Sequence, residues 1–315
     1  MNEPELVVAT RVPADVLEKL RERAPVTDVA GTPRAHWDGA LAAATGMLVG
    51  SAVRVDADLL DRAPKLKIVS SVSVGYDNVD TAALKVRGVA FTNTRGSLVE
   101  AVADLTFVLA VMAIRRIGLS LTWVRDGRWL KGDAPFGNDV ENATLGIVGM
   151  GTIGLAVARR ARAAGMHVIY NNRNRRDDDA HIGAEYRTLD ELLALADCVV
   201  VLVPLGEATR GMFGDAAFAK MKPSATFVNV ARGAIVDTAA LLRALEMKKI
   251  AGAALDVTDP EPLPPDHPLL AREDVVVLPH VGSATFETRR RMAMLAADNL
   301  LAALDGRPLL TPVEL

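Results

Sequence analysis

The chain has 315 residues, half of them hydrophobic, and a net charge of -3 from 36 basic and 39 acidic side chains. This length is sufficient for two domains, and the charge balance offers no broad basic surface for nucleic acid or an acidic membrane. No run reaches the ~20 apolar residues that cross a bilayer, the N-terminal sequence lacks a signal-peptide pattern, and the single cysteine has no partner for an internal disulfide. We expect a cytoplasmic protein without a metal site and without nucleic-acid or membrane partners.

The first third of the chain is typical of parallel βαβ units, because short apolar runs alternate with helical segments. A helix is expected over 14–20, directly after the first strand. Strands of one sheet are predicted at 6–10, 46–49, 67–71 and 89–93. The sequence therefore predicts an α/β domain at the N-terminus.

A long, mostly apolar segment follows at 97–124, without glycine until Gly118. We expect one helix that is longer than the average of ~11–12 residues. Its apolar side chains fall on nearly every side of the helix. Such a helix is expected to be buried between domains or between subunits.

A second series of strands and helices begins at Thr144. Six strands are predicted at 144–148, 167–170, 199–203, 226–230, 252–256 and 275–278. This number and order fit a doubly wound dinucleotide-binding domain. Cys198 lies in the run 197–202, which is typical of a buried strand, where a free cysteine is usually structural filler rather than a nucleophile. The last helix is expected over 285–304 and is compatible with either half of the chain.

A glycine fingerprint, Gly149-Met150-Gly151-Thr152-Ile153-Gly154, follows an apolar strand and opens a helix expected over 153–164. In a dinucleotide-binding turn the first glycine makes the tight turn, and the second lets the backbone approach the pyrophosphate. The third permits close packing of helix and strand. The helix N-terminus then offers amide N–H groups to the phosphates. A glycine-rich turn without a ligand is the alternative interpretation.

The end of the next strand bears on the choice of cofactor. NAD enzymes usually place an acidic residue about 20 positions after the first glycine, to bind the ribose hydroxyls. Here the sequence is Tyr170-Asn171-Asn172-Arg173-Asn174-Arg175-Arg176. Guanidinium groups bind a 2′-phosphate well, and a carboxylate would repel it. We therefore expect NADP (NADPH) rather than NAD, the alternative being a solvated basic turn that pairs with the acidic residues at 177–179.

Three charged residues at or near strand ends, Arg232, Glu261 and His280, point to hydride transfer onto a 2-oxo acid. The planar fork of Arg232 matches a substrate carboxylate and can polarise the substrate carbonyl. A histidine beside a carboxylate suits a general acid that protonates the developing alkoxide. Each residue alone would be an ordinary surface or structural residue. Together, beside a nucleotide fingerprint, they predict a nicotinamide-dependent 2-hydroxyacid dehydrogenase.

These motifs, together with the loop at 73–80, resemble the D-isomer-specific 2-hydroxyacid dehydrogenase family over essentially the whole chain. The resemblance implies a discontinuous flavodoxin-like substrate domain (1–94 and 284–315) and an inserted Rossmann dinucleotide domain (95–283). It implies a catalytic triad of Arg232, Glu261 and His280. The substrate would be bound by Val74, Gly75, Arg232 and His280. The cofactor would be bound by Gly149, Gly151, Thr152, Ile153, Gly154, Asn172, Arg173, Arg175, Arg176, Pro204, Thr209, Val230, Ala231, Asp256, Gly282 and Ser283.

Within that family, the stretch 256–264 is similar to glyoxylate/hydroxypyruvate reductases, which implies NADPH-preferring reduction of small 2-oxo acids by a homodimer. Eukaryotic reductases carry a second tryptophan shortly after the position of Trp129, whereas Leu130 and Lys131 follow here. The rim of the substrate pocket is therefore expected to differ. The alternatives are a bulkier 2-oxo acid or phosphite as substrate, and a nucleotide-sensing scaffold of the corepressor type.

Overall fold

The computed structural model of the chain describes residues 5–315, apart from the side chains at 179–180. Contacts between Cα atoms divide the chain into two units, Met1–Leu98 with Thr285–Leu315, and Val99–Ala284. Each unit is built around one parallel β-sheet. The predicted class, two doubly wound α/β domains, is confirmed.

The sheet of the first unit has five parallel strands in the order β2-β1-β3-β4-β5, which is the flavodoxin-like order. Their bounds are β1 (Glu5–Val8), β2 (Val26–Asp28), β3 (Ala44–Val49), β4 (Ile68–Ser71) and β5 (Ala90–Thr92). The four predicted strands are present. The strand β2 was not predicted, because this three-residue edge strand has the sequence Val-Thr-Asp, which is not an apolar run.

The sheet of the second unit has seven parallel strands in the order β12-β11-β10-β9-β6-β7-β8. Their bounds are β6 (Thr144–Val148), β7 (His167–Asn171), β8 (Glu185–Tyr186), β9 (Cys198–Val201), β10 (Thr226–Asn229), β11 (Gly252–Leu255) and β12 (Val275–Val277). The first six positions counted from β8 follow the Rossmann order, with one further strand at the far edge. The six predicted strands are present, and the two-residue strand β8 was not predicted.

Helices cover the faces of both sheets. Their bounds are α1 (Ala14–Arg21), α2 (Asp38–Ala43), α3 (Ala57–Arg62), α4 (Thr81–Val86), α5 (Val99–Ile114), α6 (Ile117–Arg125), α7 (Thr152–Ala163), α8 (Asp179–Ile182), α9 (Leu189–Leu195), α10 (Asp215–Phe218), α11 (Thr238–Glu246) and α12 (Phe286–Leu304). The last helix, α12, packs on β3 and β4 and so belongs to the first unit. No helix within residues 5–315 is long and apolar enough to span a membrane.

The prediction of one continuous helix over 97–124 is wrong. The segment forms α5 and α6, which are separated at Arg116, a residue with left-handed backbone (φ 51°). One face of α5 is buried against α7 and the strands of the second unit. In contrast, α6 has no buried residue. Neither glycine nor proline stands at the break, so no local pattern marks it.

Candidate active site

The glycine fingerprint forms the turn between β6 and α7. Gly149 has φ +109°, and a Cβ at this position would lie 2.7 Å from the backbone carbon of Leu202. A Cβ on Gly154 would lie 2.5 Å from the carbonyl oxygen of Gly149, so the helix packs tightly against the turn. A Cβ on Gly151 would meet no atom within 4 Å. These surroundings match the three roles expected of a dinucleotide-binding turn.

The first turn of α7 has the chemistry of a phosphate site. Gly151 is the N-cap and provides no side-chain hydrogen bond to the first-turn amides, which include those of Thr152 and Ile153. Unpaired N–H groups at a helix N-terminus bind anions, and the space beside Gly151 is open. The residues of this turn therefore fit the pyrophosphate of a dinucleotide.

Asn172, directly after β7, is hydrogen-bonded to the glycine turn. Its Oδ1 accepts a hydrogen bond of 2.6 Å from the N–H of Met150. The guanidinium of Arg176 makes two hydrogen bonds with the Asp178 carboxylate, at 2.7 and 2.8 Å, and donates to the Met150 carbonyl at 3.2 Å. Arg173, in contrast, is exposed. Part of the basic segment is thus bonded to the protein itself. For Arg176 this agrees with the alternative interpretation, a basic turn that pairs with the acidic residues at 177–179.

Arg232 follows β10 and begins a short 3₁₀ turn at Gly233–Ile235. The side chain is half-buried, and its Nη1 donates to the Ala231 carbonyl at 2.7 Å. Buried Asn229 shapes this loop, since its Oδ1 accepts from the N–H of Ala231 and its Nδ2 donates to the carbonyl of Arg232. No role for Asn229 was predicted from the sequence. The sequence signal that could have indicated such a role was an amide side chain at the end of an apolar strand.

His280 and Glu261 form a close pair in the second unit. The distance from His280 Nδ1 to Glu261 Oε1 is 2.6 Å, and each side chain is 41% exposed. The other carboxylate oxygen of Glu261 accepts a hydrogen bond from the N–H of Thr258 at 3.3 Å. With Nδ1 bonded to the carboxylate, Nε2 is the ring nitrogen left to exchange a proton with a substrate. The structure thus brings together the two residues expected to act as a pair.

Asp256 anchors the loop that carries His280. Its two carboxylate oxygens accept hydrogen bonds from the N–H groups of Val281 (2.7 Å) and Gly282 (2.8 Å). Its carbonyl accepts from the N–H of His280, which has a positive φ of 53°. Burial raises the pKa of the Asp256 carboxyl, although the two N–H groups oppose this rise. Asp256 therefore fixes the backbone on which the imidazole is mounted.

Other residues expected at the cofactor lie in loops after strands of the second sheet. Pro204 follows β9, and its carbonyl accepts a hydrogen bond of 2.7 Å from the hydroxyl of Thr209. Val230 and Ala231 follow β10, and buried Ser283 lies in the loop after β12. The carboxyl ends of parallel strands are where ligands bind in open α/β sheets. The positions of these residues are compatible with the expected role in cofactor binding.

Val74 and Gly75 lie in the first unit, in the loop that follows β4, and both are half-buried. The loop continues through Tyr76, whose ring packs edge-to-face on Phe91 with centroids 5.6 Å apart. This loop also extends from the carboxyl end of a parallel strand. It therefore occupies a position in its own sheet where ligand-binding loops occur.

Comparison with known proteins identifies the family. A family model described as the D-isomer specific 2-hydroxyacid dehydrogenase, NAD binding domain, matches residues 107–282. The chain belongs to the D-isomer-specific 2-hydroxyacid dehydrogenase family. Its second unit therefore contains the family's nucleotide-binding domain, and the protein is an oxidoreductase.

Several named relatives of this dehydrogenase cover nearly its whole length. It is 46% identical to glyoxylate/hydroxypyruvate reductase B of Klebsiella pneumoniae (strain 342), over 96% of each chain. A solved structure of a protein from Thermus thermophilus is 42% identical, with a TM-score of 0.91, and the match covers 98% of this chain and 100% of that one. The NADPH-dependent glyoxylate/hydroxypyruvate reductase of Sinorhizobium meliloti, solved with NADP and malonate, is 35% identical. The TM-score is 0.89, and the match covers 98% of this chain and 96% of that one.

Proposed function

We propose that this dehydrogenase reduces small 2-oxo acids, glyoxylate and hydroxypyruvate, to 2-hydroxy acids and prefers NADPH. The observation that carries the proposal is the 2.6 Å pair between His280 and Glu261, in the unit that also holds Arg232 and the glycine turn. The names of the Klebsiella and Sinorhizobium relatives support the substrate class. In this proposal the second unit binds the dinucleotide, and the first unit binds substrate through Val74 and Gly75.

The chain's own residues would bind the 2-oxo acid and supply the proton. Arg232 would grip the substrate carboxylate with its guanidinium fork and polarise the adjacent carbonyl. When bound, the reduced nicotinamide supplies a hydride to the carbonyl carbon. His280 would give the proton on Nε2 to the carbonyl oxygen, and Glu261 would stabilise the imidazolium before that transfer. The products would be a 2-hydroxy acid, the oxidised nicotinamide and a neutral histidine, which takes a new proton from water.

The preference for NADPH rests on the end of β7. An acidic residue there would repel a 2′-phosphate, but this chain has Asn172, whose amide is bonded to the glycine turn. Arg173 is exposed beside it, and Arg175 and Arg176 follow. Because Asp178 already binds the guanidinium of Arg176, we assign the largest share of phosphate binding to Arg173.

Initial rates with NADPH and NADH test this assignment. We expect kcat/KM to be at least about tenfold higher with NADPH, since one charge-assisted hydrogen bond contributes ~1.5–3 kcal/mol. Arg173→Ala should reduce the preference mainly by raising KM for NADPH. Arg187→Ala is a matched control, because this arginine belongs to the same unit and pairs with Glu185. Equal use of both cofactors by the wild type would show that the basic segment is a solvated turn.

Carboxylate recognition is tested by comparing glyoxylate with acetaldehyde, an aldehyde that lacks the carboxylate. Glyoxylate should be reduced and acetaldehyde should not. Arg232→Lys should be severely impaired, because a point charge cannot replace a bidentate planar fork. Efficient acetaldehyde reduction, or an Arg232→Lys variant within about twofold of wild type, would refute the substrate class. Assays with longer 2-oxo acids and with phosphite would show whether another substrate of the family is preferred.

We also propose that the protein is a cytoplasmic homodimer. The segment from α6 onward exposes large apolar side chains, which are Leu121 (50%), Val124 (58%), Trp129 (67%), Leu130 (94%) and Phe136 (87%). Exposed apolar surface of this extent is typical of a protein–protein contact. Analytical ultracentrifugation should give the mass of two chains, and Leu121→Asp should give one. A wild-type monomer at micromolar concentration would refute the dimer without affecting the proposed reaction.

A further inference from the structure

The loop after β4 has three successive carbonyl groups that are each held by a different partner. The carbonyl of Ser73 accepts a hydrogen bond of 3.1 Å from the N–H of Thr94. The carbonyl of Val74 accepts one of 2.9 Å from the side-chain amide of Asn93. The carbonyl of Gly75 accepts one of 2.7 Å from the hydroxyl of Ser73. Three consecutive peptide planes are thereby fixed.

Fixing a carbonyl also fixes the N–H group of the next residue. In a trans peptide the C=O of one residue and the N–H of the next point in opposite directions, and the cis peptides of residues 5–315 lie elsewhere, before Pro260 and Pro262. The N–H groups of Val74, Gly75 and Tyr76 therefore point away from the groups that hold the carbonyls. Within the described part of the first unit, none of these three N–H groups donates a hydrogen bond. Backbone N–H groups that are left without a partner can donate charge-assisted hydrogen bonds to an anion such as a carboxylate.

Asn93 is itself held firmly, by the C-terminal segment. The residue is 5% exposed. Its backbone N–H donates to the carbonyl of Thr311 at 3.3 Å, and its carbonyl accepts from the hydroxyl of Thr311 at 2.5 Å. Thr311 is in turn bonded to fully buried Asn299 of α12, through both its hydroxyl and its N–H. These bonds hold the backbone of Asn93 in place. Its side-chain Oδ1 accepts a hydrogen bond of 3.3 Å from the N–H of Arg95, which sets the orientation of the amide.

Ser73 is held in a similar way at the other side of the loop. Its N–H donates to the Ser71 hydroxyl at 3.3 Å, and the two hydroxyl oxygens are 2.7 Å apart. Since the Ser73 hydroxyl donates to the Gly75 carbonyl, the Ser71 hydroxyl is the donor in this pair. The resulting chain of hydrogen bonds runs from the end of β4 to Gly75.

We propose that Asn93 and Ser73 are positioning residues that aim the N–H groups of Val74, Gly75 and Tyr76 at the carboxylate of the substrate. Asn93 acts through the carbonyl of Val74, and Ser73 through that of Gly75. Neither side chain needs to touch the substrate. The inference rests on the proposed function, because the anion it requires is the carboxylate of a 2-oxo acid.

The test compares Asn93→Ala and Ser73→Ala with wild type in steady-state reduction of glyoxylate. Each variant should raise KM for glyoxylate and the inhibition constant of oxamate by roughly five- to twentyfold, because a released peptide can turn its N–H away from the anion. The dissociation constant of NADPH, measured by fluorescence titration, should stay within about twofold of wild type. Ser73→Thr keeps the hydroxyl and should therefore have the wild-type KM for glyoxylate and the wild-type inhibition constant of oxamate.

Asn78→Ala provides the matched control. Asn78 lies in the same loop, but its amide donates to the carbonyl of Val53 at 2.6 Å and holds none of the three peptides. It should lower the thermal midpoint without changing the oxamate constant. If wild type reduces glyoxylate and both alanine variants keep the wild-type oxamate constant, the inference is overturned and the proposed function stands. If wild type reduces no 2-oxo acid, the proposed function and the inference both fail.

Discussion

Replacing Gly151 by alanine should separate cofactor binding from folding. Gly151 has φ -84° and ψ -159°, an extended conformation that alanine adopts without strain. Its Cβ would meet no atom within 4 Å. The variant should therefore fold with an unfolding free energy equal to that of wild type or up to ~1 kcal/mol higher, because alanine restricts the unfolded chain.

The added methyl group would nevertheless occupy the space where a pyrophosphate approaches the first turn of α7. Each hydrogen bond to a charged phosphate contributes ~1.5–3 kcal/mol. Losing one of them weakens binding by about tenfold to a hundredfold. We expect the dissociation constant of NADPH, measured by fluorescence titration, to rise by at least about tenfold in Gly151→Ala. Denaturant unfolding of the same preparation would give its stability.

Gly154→Ala is the matched comparison, three residues further along. Its Cβ would lie 2.5 Å from the Gly149 carbonyl oxygen, a backbone atom that cannot move aside alone. This variant should lose ~1–3 kcal/mol of stability, the usual cost of overpacking. If Gly151→Ala bound NADPH within about twofold of wild type, the pyrophosphate could not lie at this helix end, and the cofactor site would be wrongly placed.

The remaining predictions concern three separate side chains. His280→Ala should lower kcat by about 10²–10⁴-fold with an unchanged NADPH dissociation constant, and near-normal turnover would exclude His280 as the acid. The Arg34 guanidinium beside Asp56 lowers the pKa of that carboxyl from 3.8 to about 2. In urea unfolding, the free energy of unfolding of Asp56→Ala should be ~1–2 kcal/mol below that of wild type at pH 7. This difference should shrink as the pH falls from about 4 to about 2, because protonation of Asp56 removes the same ion pair from wild type. A constant deficit would show that the ion pair contributes nothing. Burial raises the pKa of the Cys198 thiol to about 12, so Ellman's reagent should react only after unfolding, and prompt reaction with the native protein would contradict its burial.

Most of the predicted strands were found because their apolar runs are buried on both faces of a parallel sheet. For example, every residue of β9 and β10 is buried. The edge strand β12 has no fully buried residue and was found from its run of three valines. The edge strands β2 and β8 lack an apolar run, since their sequences are Val-Thr-Asp and Glu-Tyr. The division between α5 and α6 was missed for another reason. Arg116 has a left-handed backbone although it is neither glycine nor asparagine, so its residue type gives no sign of the break.

The residue types of the candidate site could be predicted from the sequence. Their hydrogen-bond partners could be predicted only in part. His280 and Glu261 were expected to pair from their chemistry, and they lie 2.6 Å apart. The bonding of Arg176 to Asp178 was only one of the possibilities, because an arginine two residues before a carboxylate can pair locally or bind a ligand. The roles of Asn93 and Asn229 depend on which carbonyl groups the fold brings near them. Such long-range choices are not encoded in a local pattern.

The position of His280 depends on Asp256, a residue that need not take part in the reaction itself. The N–H groups of both Val281 and Gly282 donate to its carboxylate, one to each oxygen. An amide could accept only one of these bonds and would direct its own N–H₂ at the other donor. A carboxylate is therefore required to hold this loop, even though burial disfavours its charge. Each oxygen keeps further acceptor capacity, so the same residue can hold the loop of His280 and still accept a hydrogen bond from a nicotinamide carboxamide.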